Sequence, residues 1–149
     1  MAWVDYKKAY DMVPHSWILK TLEITKVAGN INAFLSNSMN KWETRLTANG
    51  KELSVKINRG IFQGDSLSPL QFIVAMLPLL LFILKRETTD IGYKFGSLGH
   101  VINHLFFMDD LKLFASSQED LEKLMLIVFN YSEDISCLLY TSPSPRDRG

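Results

Sequence analysis

The chain has 149 residues, 47% of them apolar, and 16 basic side chains balance 16 acidic ones to a net charge of zero. That length suits one domain of ordinary size with a real core, and the balanced charge argues mildly against a free-standing nucleic-acid binder, which usually presents a basic surface. The single cysteine, Cys137, excludes an intramolecular disulfide framework and a cysteine-based zinc site.

Met1-Ala2-Trp3-Val4-Asp5 lacks the basic region and apolar run of a secretion signal. Trp3-Val4-Asp5-Tyr6 reads as the end of a short strand. Val13-Pro14-His15-Ser16 then turns the chain into a helix running to about Lys26, and Pro14 suits a first helical turn, where no N–H is needed. This helix carries Trp17, Ile18, Leu22 and Ile24 toward one side. Val27-Ala28-Gly29-Asn30 ends it, with Gly29 and Asn30 as stop signals. A second helix is expected over about Ile31 to Asn40, anchored by Phe34 and Leu35.

Arg45 to Ala48 and Glu52 to Asn58 alternate polar and apolar residues around Asn49-Gly50. Both turn residues accept positive φ, so this is a hairpin. Gly60 to Pro69 reads as a loop, and Pro69 to Lys85 as a long helix, apolar all round and hence buried. Its apolar run, Phe72 to Leu84, contains Pro78 and falls short of the roughly 20 residues of a membrane span. Tyr93-Lys94-Phe95 and Val101 to Phe107 read as strands around a turn at Gly96 to Gly99. Met108-Asp109-Asp110 breaks the apolar run, which resumes at Leu111, Leu113 and Phe114. A last helix spans about Ser117 to Tyr131, with Leu121, Leu124, Met125 and Val128 at helical spacing, Ser117 as its cap and Asp120 near its positive end. This order of elements predicts an α+β fold, an antiparallel sheet packed on helices, without a second domain.

The string from Cys137 to Asp147, rich in Ser, Pro and Arg, breaks with the helix before it. It resembles the translated end of a transposon-type sequencing-library adapter. Residues 136–149 are therefore expected to be a non-native tail; a native disordered tail has the same composition.

The chemistry concentrates where charge interrupts a buried strand pair. Asp109-Asp110 sits between Leu105-Phe106-Phe107 and Leu111-Leu113-Phe114. Adjacent carboxylates in an apolar setting are costly unless a cation binds them. A tight turn there sets both at one lip of a sheet, and Asp5 ends another apolar strand. If that strand lies beside the hairpin, three carboxylates converge. Two such charges about 4 Å apart repel by roughly 1 kcal/mol in water and about 4 kcal/mol at an effective dielectric of 20. Magnesium, which takes oxygen ligands and keeps room for phosphates, would relieve this. Spacing alone leaves open that the pair is an ordinary solvated turn.

Three segments add a resemblance. Asp5-Tyr6-Lys7-Lys8-Ala9-Tyr10-Asp11-Met12-Val13-Pro14-His15 resembles the first palm motif of non-LTR retroelement reverse transcriptases. Gly60-Ile61-Phe62-Gln63-Gly64-Asp65-Ser66-Leu67-Ser68-Pro69 resembles the second. Phe107-Met108-Asp109-Asp110-Leu111-Lys112-Leu113 resembles the third, an aromatic-X-Asp-Asp turn. The match runs from residue 1 to about 135; group II intron and telomerase enzymes share the same palm.

The resemblance implies a polymerase palm with a ferredoxin- or RRM-like antiparallel sheet. It further implies an RNA-directed DNA polymerase with two Mg²⁺ ions (Mn²⁺ in their place). Its substrates would be an RNA template, a DNA primer and deoxynucleoside triphosphates, with no membrane partner. Asp5 and Asp109 take the place of the main metal ligands and Asp110 of the third carboxylate. Tyr10 takes that of the aromatic gate under the sugar, whose ring excludes a 2′-hydroxyl. Tyr6 falls among the substrate-binding positions, and Gln63 and Gly64 in the loop that lines the nascent base pair, where glycine permits close backbone approach. Lys112, just past the turn, would face primer or template phosphates.

Each residue also has a plainer reading: Tyr10 as a core aromatic, Gln63-Gly64 as a loop, Asp11 as a turn or cap partner, His15 as a support for the helix start and Lys112 as an exposed lysine. His100 and His104 are four apart, which is ligand spacing only on a helix. The region reads as strand, so zinc is not expected. The family's fingers and thumb regions are expected to fall outside this stretch. The chain alone is therefore expected to polymerise little or not at all. The rival readings are a decayed element copy, a palm kept as a binding scaffold, and an unrelated metal-dependent nuclease.

Overall fold

The computed structural model describes residues 1–6, 8–84, 90–97, 99–135 and 139–142. The chain forms two compact units. One comprises Met1–Ala9 with Met76–Gly149, the other Tyr10–Ala75.

The first unit is built on a four-stranded antiparallel sheet in the order β6-β7-β1-β8. Its strands are β1 (Ala2–Tyr6), β6 (His104–Phe107), β7 (Asp110–Leu113) and β8 (Leu139–Ser142). Alternation decides its faces. Val4 and Tyr6 of β1 and Leu111 and Leu113 of β7 are buried, while the residues between them are exposed or partly exposed. Helix α5 (Gln118–Asp134) packs on β7, with Leu124, Val128 and Tyr131 buried along one side. Ser117 caps it as expected: its hydroxyl accepts a hydrogen bond from the Asp120 N–H at 3.1 Å, which satisfies one of the donors a helix start leaves free. A separate two-stranded pair, β4 (Tyr93–Phe95) with β5 (His100–Ile102), turns at Gly96 and Gly99, both with positive φ. The single strand expected from Val101 to Phe107 is thus two, divided at Asn103.

Leu139–Ser142 pairs antiparallel with β1, Asp5 opposite Tyr140. The other positions of the expected tail, 136–138 with Cys137 and 143–149, lie outside the described residues.

The second unit contains α2 (His15–Ile24), α3 (Gly29–Met39) and the hairpin of β2 (Glu43–Ala48) and β3 (Lys51–Lys56). The hairpin follows the sequence closely. Asn49 and Gly50 have φ of +51° and +73°, the pattern of a type I′ turn, whose twist matches that of the strands. Helix α2 starts one residue after Pro14, which takes extended backbone at the N-cap. It ends at Ile24, earlier than expected. Lys26 takes the left-handed position (φ +57°), and Gly29 and Asn30 begin α3 instead of ending α2. Ile18 and Leu22 are buried, but Ile24 is 45% exposed. Phe34 is 65% exposed, so it is no core anchor. With Leu35, Ile18 and Leu22 it lines an apolar cavity of about 390 Å³.

Two short helical stretches span the divisions between the units: α1 (Ala9–Met12) and α4 (Ser68–Pro78). The helix expected to reach Lys85 changes character at Pro78. Leu79–Leu84 follow with π-helical spacing, and Lys85 lies outside the described residues. Proline has no N–H for the carbonyl one turn back and its ring crowds it, so wider spacing lets the helix continue. The stretch is not buried all round, since Leu70, Ile73 and Leu81 are 57%, 41% and 50% exposed. Among the described residues no helix is long and apolar enough to cross a membrane.

Candidate functional site

Strand pairing assembles the carboxylates. β1 and β7 pair as Ala2↔Leu113, Trp3↔Lys112, Val4↔Leu111 and Asp5↔Asp110. Directly opposed residues share a face, with Cβ atoms about 4.5–5.5 Å apart. Val4 and Leu111 are buried, so Trp3, Lys112, Asp5 and Asp110 all belong to the opposite, open face. β6 adds Leu105 opposite Lys112 and Phe107 opposite Asp110. Leu105 is 55% and Phe107 73% exposed.

Phe107↔Asp110 closes a two-residue loop, Met108-Asp109. Met108 has φ +54° and Asp109 does not share that sign. Positive φ at the first loop residue alone is the II′ pattern, which needs little chain and suits the strand twist. This tight turn brings Asp109 to the lip beside Asp110.

The three carboxylates were expected to converge if the Asp5 strand lay beside the hairpin; β1 does pair with β7, and the register sets Asp5 opposite Asp110. Asp109 stands one residue away on the turn, half-buried, while Asp5 and Asp110 are exposed. A like-charged pair directly across a sheet weakens it. Among the described residues, no three His, Cys, Asp or Glu side chains stand close enough to hold a metal ion. The donor set is all carboxylate oxygen, which fits a hard divalent cation; two of its members are already strand neighbours.

Tyr6 departs from expectation. It is 3% exposed, on the face opposite Asp5, and its hydroxyl lies 3.3 Å from that of Ser132 in α5. It belongs to the core of the first unit. A one-residue step along a strand reverses the side-chain direction, so the neighbour of a surface carboxylate had to face inward. Lys112 is half-buried, its Nζ 4.3 Å from the Trp3 ring centroid and 5.5 Å from that of Phe114. Lys7 lies outside the described residues.

The second unit carries the first motif from Tyr10 onward and the second motif. Tyr10 is half-buried and stacks on Phe72, with ring centroids 5.1 Å apart and planes at 19°. Its backbone carbonyl accepts from the Ile61 N–H at 2.8 Å. Gln63 and Gly64 sit exposed at a turn, and Gly64 has φ +92° with open space where a Cβ would be. Hydrogen bonds brace this loop. The Asp65 carboxylate accepts from the Leu67 N–H at 3.0 Å, and the Ser68 hydroxyl donates to the Phe62 carbonyl.

His15 has a structural role, as the plainer reading had it. It is buried, its Nε2 lies 2.8 Å from the Gly60 carbonyl oxygen, and its ring meets Trp42 edge-on at 5.0 Å. Trp42 also packs on Phe62 at 4.5 Å. The sequence reading gave Trp42 no part; no periodicity singles out a lone tryptophan after a helix. His100 and His104 stand on different strands, as expected of a region that is not helical. His104 Nδ1 donates to the Asn103 side-chain oxygen at 2.7 Å, and burial lowers its pKa below 6.5.

Residues 1–140 match the family described as reverse transcriptase (RNA-dependent DNA polymerase). The chain is 33% identical over 123 residues to the Pol polyprotein of a type-1 retrotransposable element R2 from Nasonia vitripennis. It is 31% identical to that of the type-2 element R2DM from Drosophila melanogaster. Each match covers 82% of this chain and 11% of the relative, so the chain spans about a tenth of their length. A Popillia japonica R2 polyprotein is 30% identical over 131 residues, with 18% of its length covered. Among solved structures, apo telomerase from Candida tropicalis, truncated from its C-terminal domain, superposes with a TM-score of 0.60 at 15% identity. That likeness covers 96% of this chain and 30% of the telomerase and concerns the fold.

Proposed function

Because the chain belongs to the reverse transcriptase (RNA-dependent DNA polymerase) family, we propose that it carries the nucleotidyl-transfer carboxylates of an RNA-directed DNA polymerase of non-LTR retrotransposon type. The observation that supports this reading most is the register Asp5↔Asp110, with Asp109 on the adjoining turn. The strand register opposes like charges on an open sheet face, where a bound cation would offset the cost.

Asp5, Asp109 and Asp110 would hold two Mg²⁺ ions, or Mn²⁺ in their place. When bound, such ions neutralise charge that builds on the attacking and leaving oxygens. In the proposed reaction, the 3′-hydroxyl of a DNA primer attacks the α-phosphate of a deoxynucleoside triphosphate opposite an RNA template. A bond forms between the 3′-oxygen and the α-phosphorus, the α-phosphorus bond to the α,β-bridging oxygen breaks, pyrophosphate leaves with that electron pair, and the hydroxyl proton passes to solvent. The protein's share is positioning and charge stabilisation. Tyr10, held flat on Phe72, would bar a 2′-hydroxyl. Gly64, open on its Cβ side, would let the base pair approach the backbone beside Gln63. Lys112 would meet backbone phosphate.

A second reading, a palm retained as a scaffold without chemistry, draws on the absence of a formed three-carboxylate group among the described residues. Mn²⁺ titration followed by electron paramagnetic resonance separates the two. The polymerase reading expects Asp109→Asn to weaken binding by about tenfold or more, since even the outer supports of metal ligands are worth 10- to 100-fold. Equal affinities of wild type and Asp109→Asn would leave the scaffold.

A further inference from the structure

The open sheet face holds a charge that the carboxylates do not use. Lys112 is opposed to Trp3 across β1 and β7, one pair along from Asp5↔Asp110. Its Nζ lies 4.3 Å from the Trp3 ring centroid and 5.5 Å from that of Phe114, both inside the roughly 6 Å over which a ring attracts a cation. Among the described residues Lys112 makes no ion pair; those present join Lys20, Arg45 and Lys123 to nearby acids. Asp110, two residues back on the same strand and face, is the carboxylate it could have taken. An exposed lysine ordinarily samples many rotamers at considerable entropic cost on ordering. Here two rings hold the ammonium group in place and leave its charge to be met from outside.

We propose that Trp3 is a positioning residue. It holds Lys112 so that the ammonium group meets a backbone phosphate of a primer–template duplex laid along this face, beside Asp5 and Asp110. The ligand class follows from the group: a compact point charge with three donors, next to an apolar flank of Leu105 and Phe107, suits a phosphodiester. The inference rests on the polymerase reading for the identity of the duplex, and on the Trp3–Lys112 geometry for the role of the ring.

The test is fluorescence anisotropy of a labelled RNA–DNA heteroduplex with the full chain across about 50 to 200 mM salt, the range in which phosphate contacts are read from the slope of affinity against salt. Lys112→Gln should flatten that slope by about one unit. Trp3→Leu, which changes no charge, should flatten it too and weaken binding about two- to fivefold, the worth of a cation–π contact as an affinity ratio. The double variant should bind no worse than Lys112→Gln alone. Trp3→Phe and Lys112→Arg should restore most of the affinity, which also controls for damage to the fold. A slope unmoved by Trp3→Leu, additive losses in the double variant, or no heteroduplex binding at any salt would overturn the proposal. Mn²⁺ titration of the same proteins reports on the other reading independently. Metal binding without a Trp3-dependent slope sinks this inference alone. A Trp3-dependent slope without metal binding sinks the chemistry and keeps the phosphate grip.

Discussion

Gly60 shows how little of a residue's reason is visible in its name. The second motif contains it, but the cause lies in the first motif. A Cβ at Gly60 would stand 3.2 Å from the Asp11 carbonyl oxygen, and its φ is +91°. Gly60 N–H donates to the Val13 carbonyl at 2.9 Å, and its own carbonyl holds His15. Gly64 shares the backbone (φ +92°) but has open space around it. Gly60→Ala should therefore cost about 1–3 kcal/mol, the range for strained backbone, with contact added. Gly64→Ala should cost less. Urea midpoints of the two variants, measured side by side, check the order; equal losses would mean the Asp11 contact relaxes freely. His104 offers a second residue-scale expectation. Burial lowers its pKa from 6.5, so the unfolded chain takes the proton first. Stability is then fully present above about pH 6.5 and falls as pH drops below it, levelling once the folded protein is also protonated. In His104→Gln that part of the pH slope should vanish.

Elements were legible where the deciding interaction is local. Asn49-Gly50 fixed its hairpin through two φ angles, and Ser117 fixed the start of α5 through one hydrogen bond. The alternation of Val4, Asp5 and Tyr6 against Leu111, Lys112 and Leu113 carried the sheet's two faces and set Tyr6 on the buried one. Boundaries set by packing were not legible. Gly29 looks like a helix stop, yet Lys26 supplies the left-handed residue and Gly29 opens the next helix. The π-helical turn after Pro78 depends on continuing past a missing hydrogen bond, which composition does not announce. Lys26 yields a test of this account. A left-handed non-glycine residue costs about 1–2 kcal/mol, and glycine's extra freedom in the unfolded chain returns about 0.5–1 kcal/mol of that. Lys26→Gly should therefore raise stability by about 0.5–1 kcal/mol in thermal or urea unfolding. A loss would show that the lysine side chain contributes more there than its backbone strain takes away.

At the scale of the whole chain, charge and sheet architecture bear on the proposed function together. Equal numbers of acids and bases leave no net positive charge to add to a local contact such as that of Lys112, and the chain spans about a tenth of the length of the R2 relatives from Nasonia vitripennis and Drosophila melanogaster. Primer extension by the purified chain is accordingly expected to be weak or absent; robust synthesis would contradict this. The sheet of the first unit spends one face on its core under α5 and leaves the other with Asp5 opposite Asp110 and with Phe107 and Leu105 exposed. Selection for stability alone would not oppose two carboxylates there, since cross-strand pairs are worth about 0.2–1 kcal/mol and like charges invert the sign. Functional sites are where such local rules are broken. Asp110→Asn should therefore do two opposite things: raise the unfolding free energy by some tenths of a kcal/mol up to about 1, and lower Mn²⁺ affinity. Added Mn²⁺ should stabilise wild type in proportion to occupancy and the variant much less. A variant that gains no stability, or that responds to Mn²⁺ as wild type does, would mean that the opposed carboxylates are solvated surface residues with no ion to share.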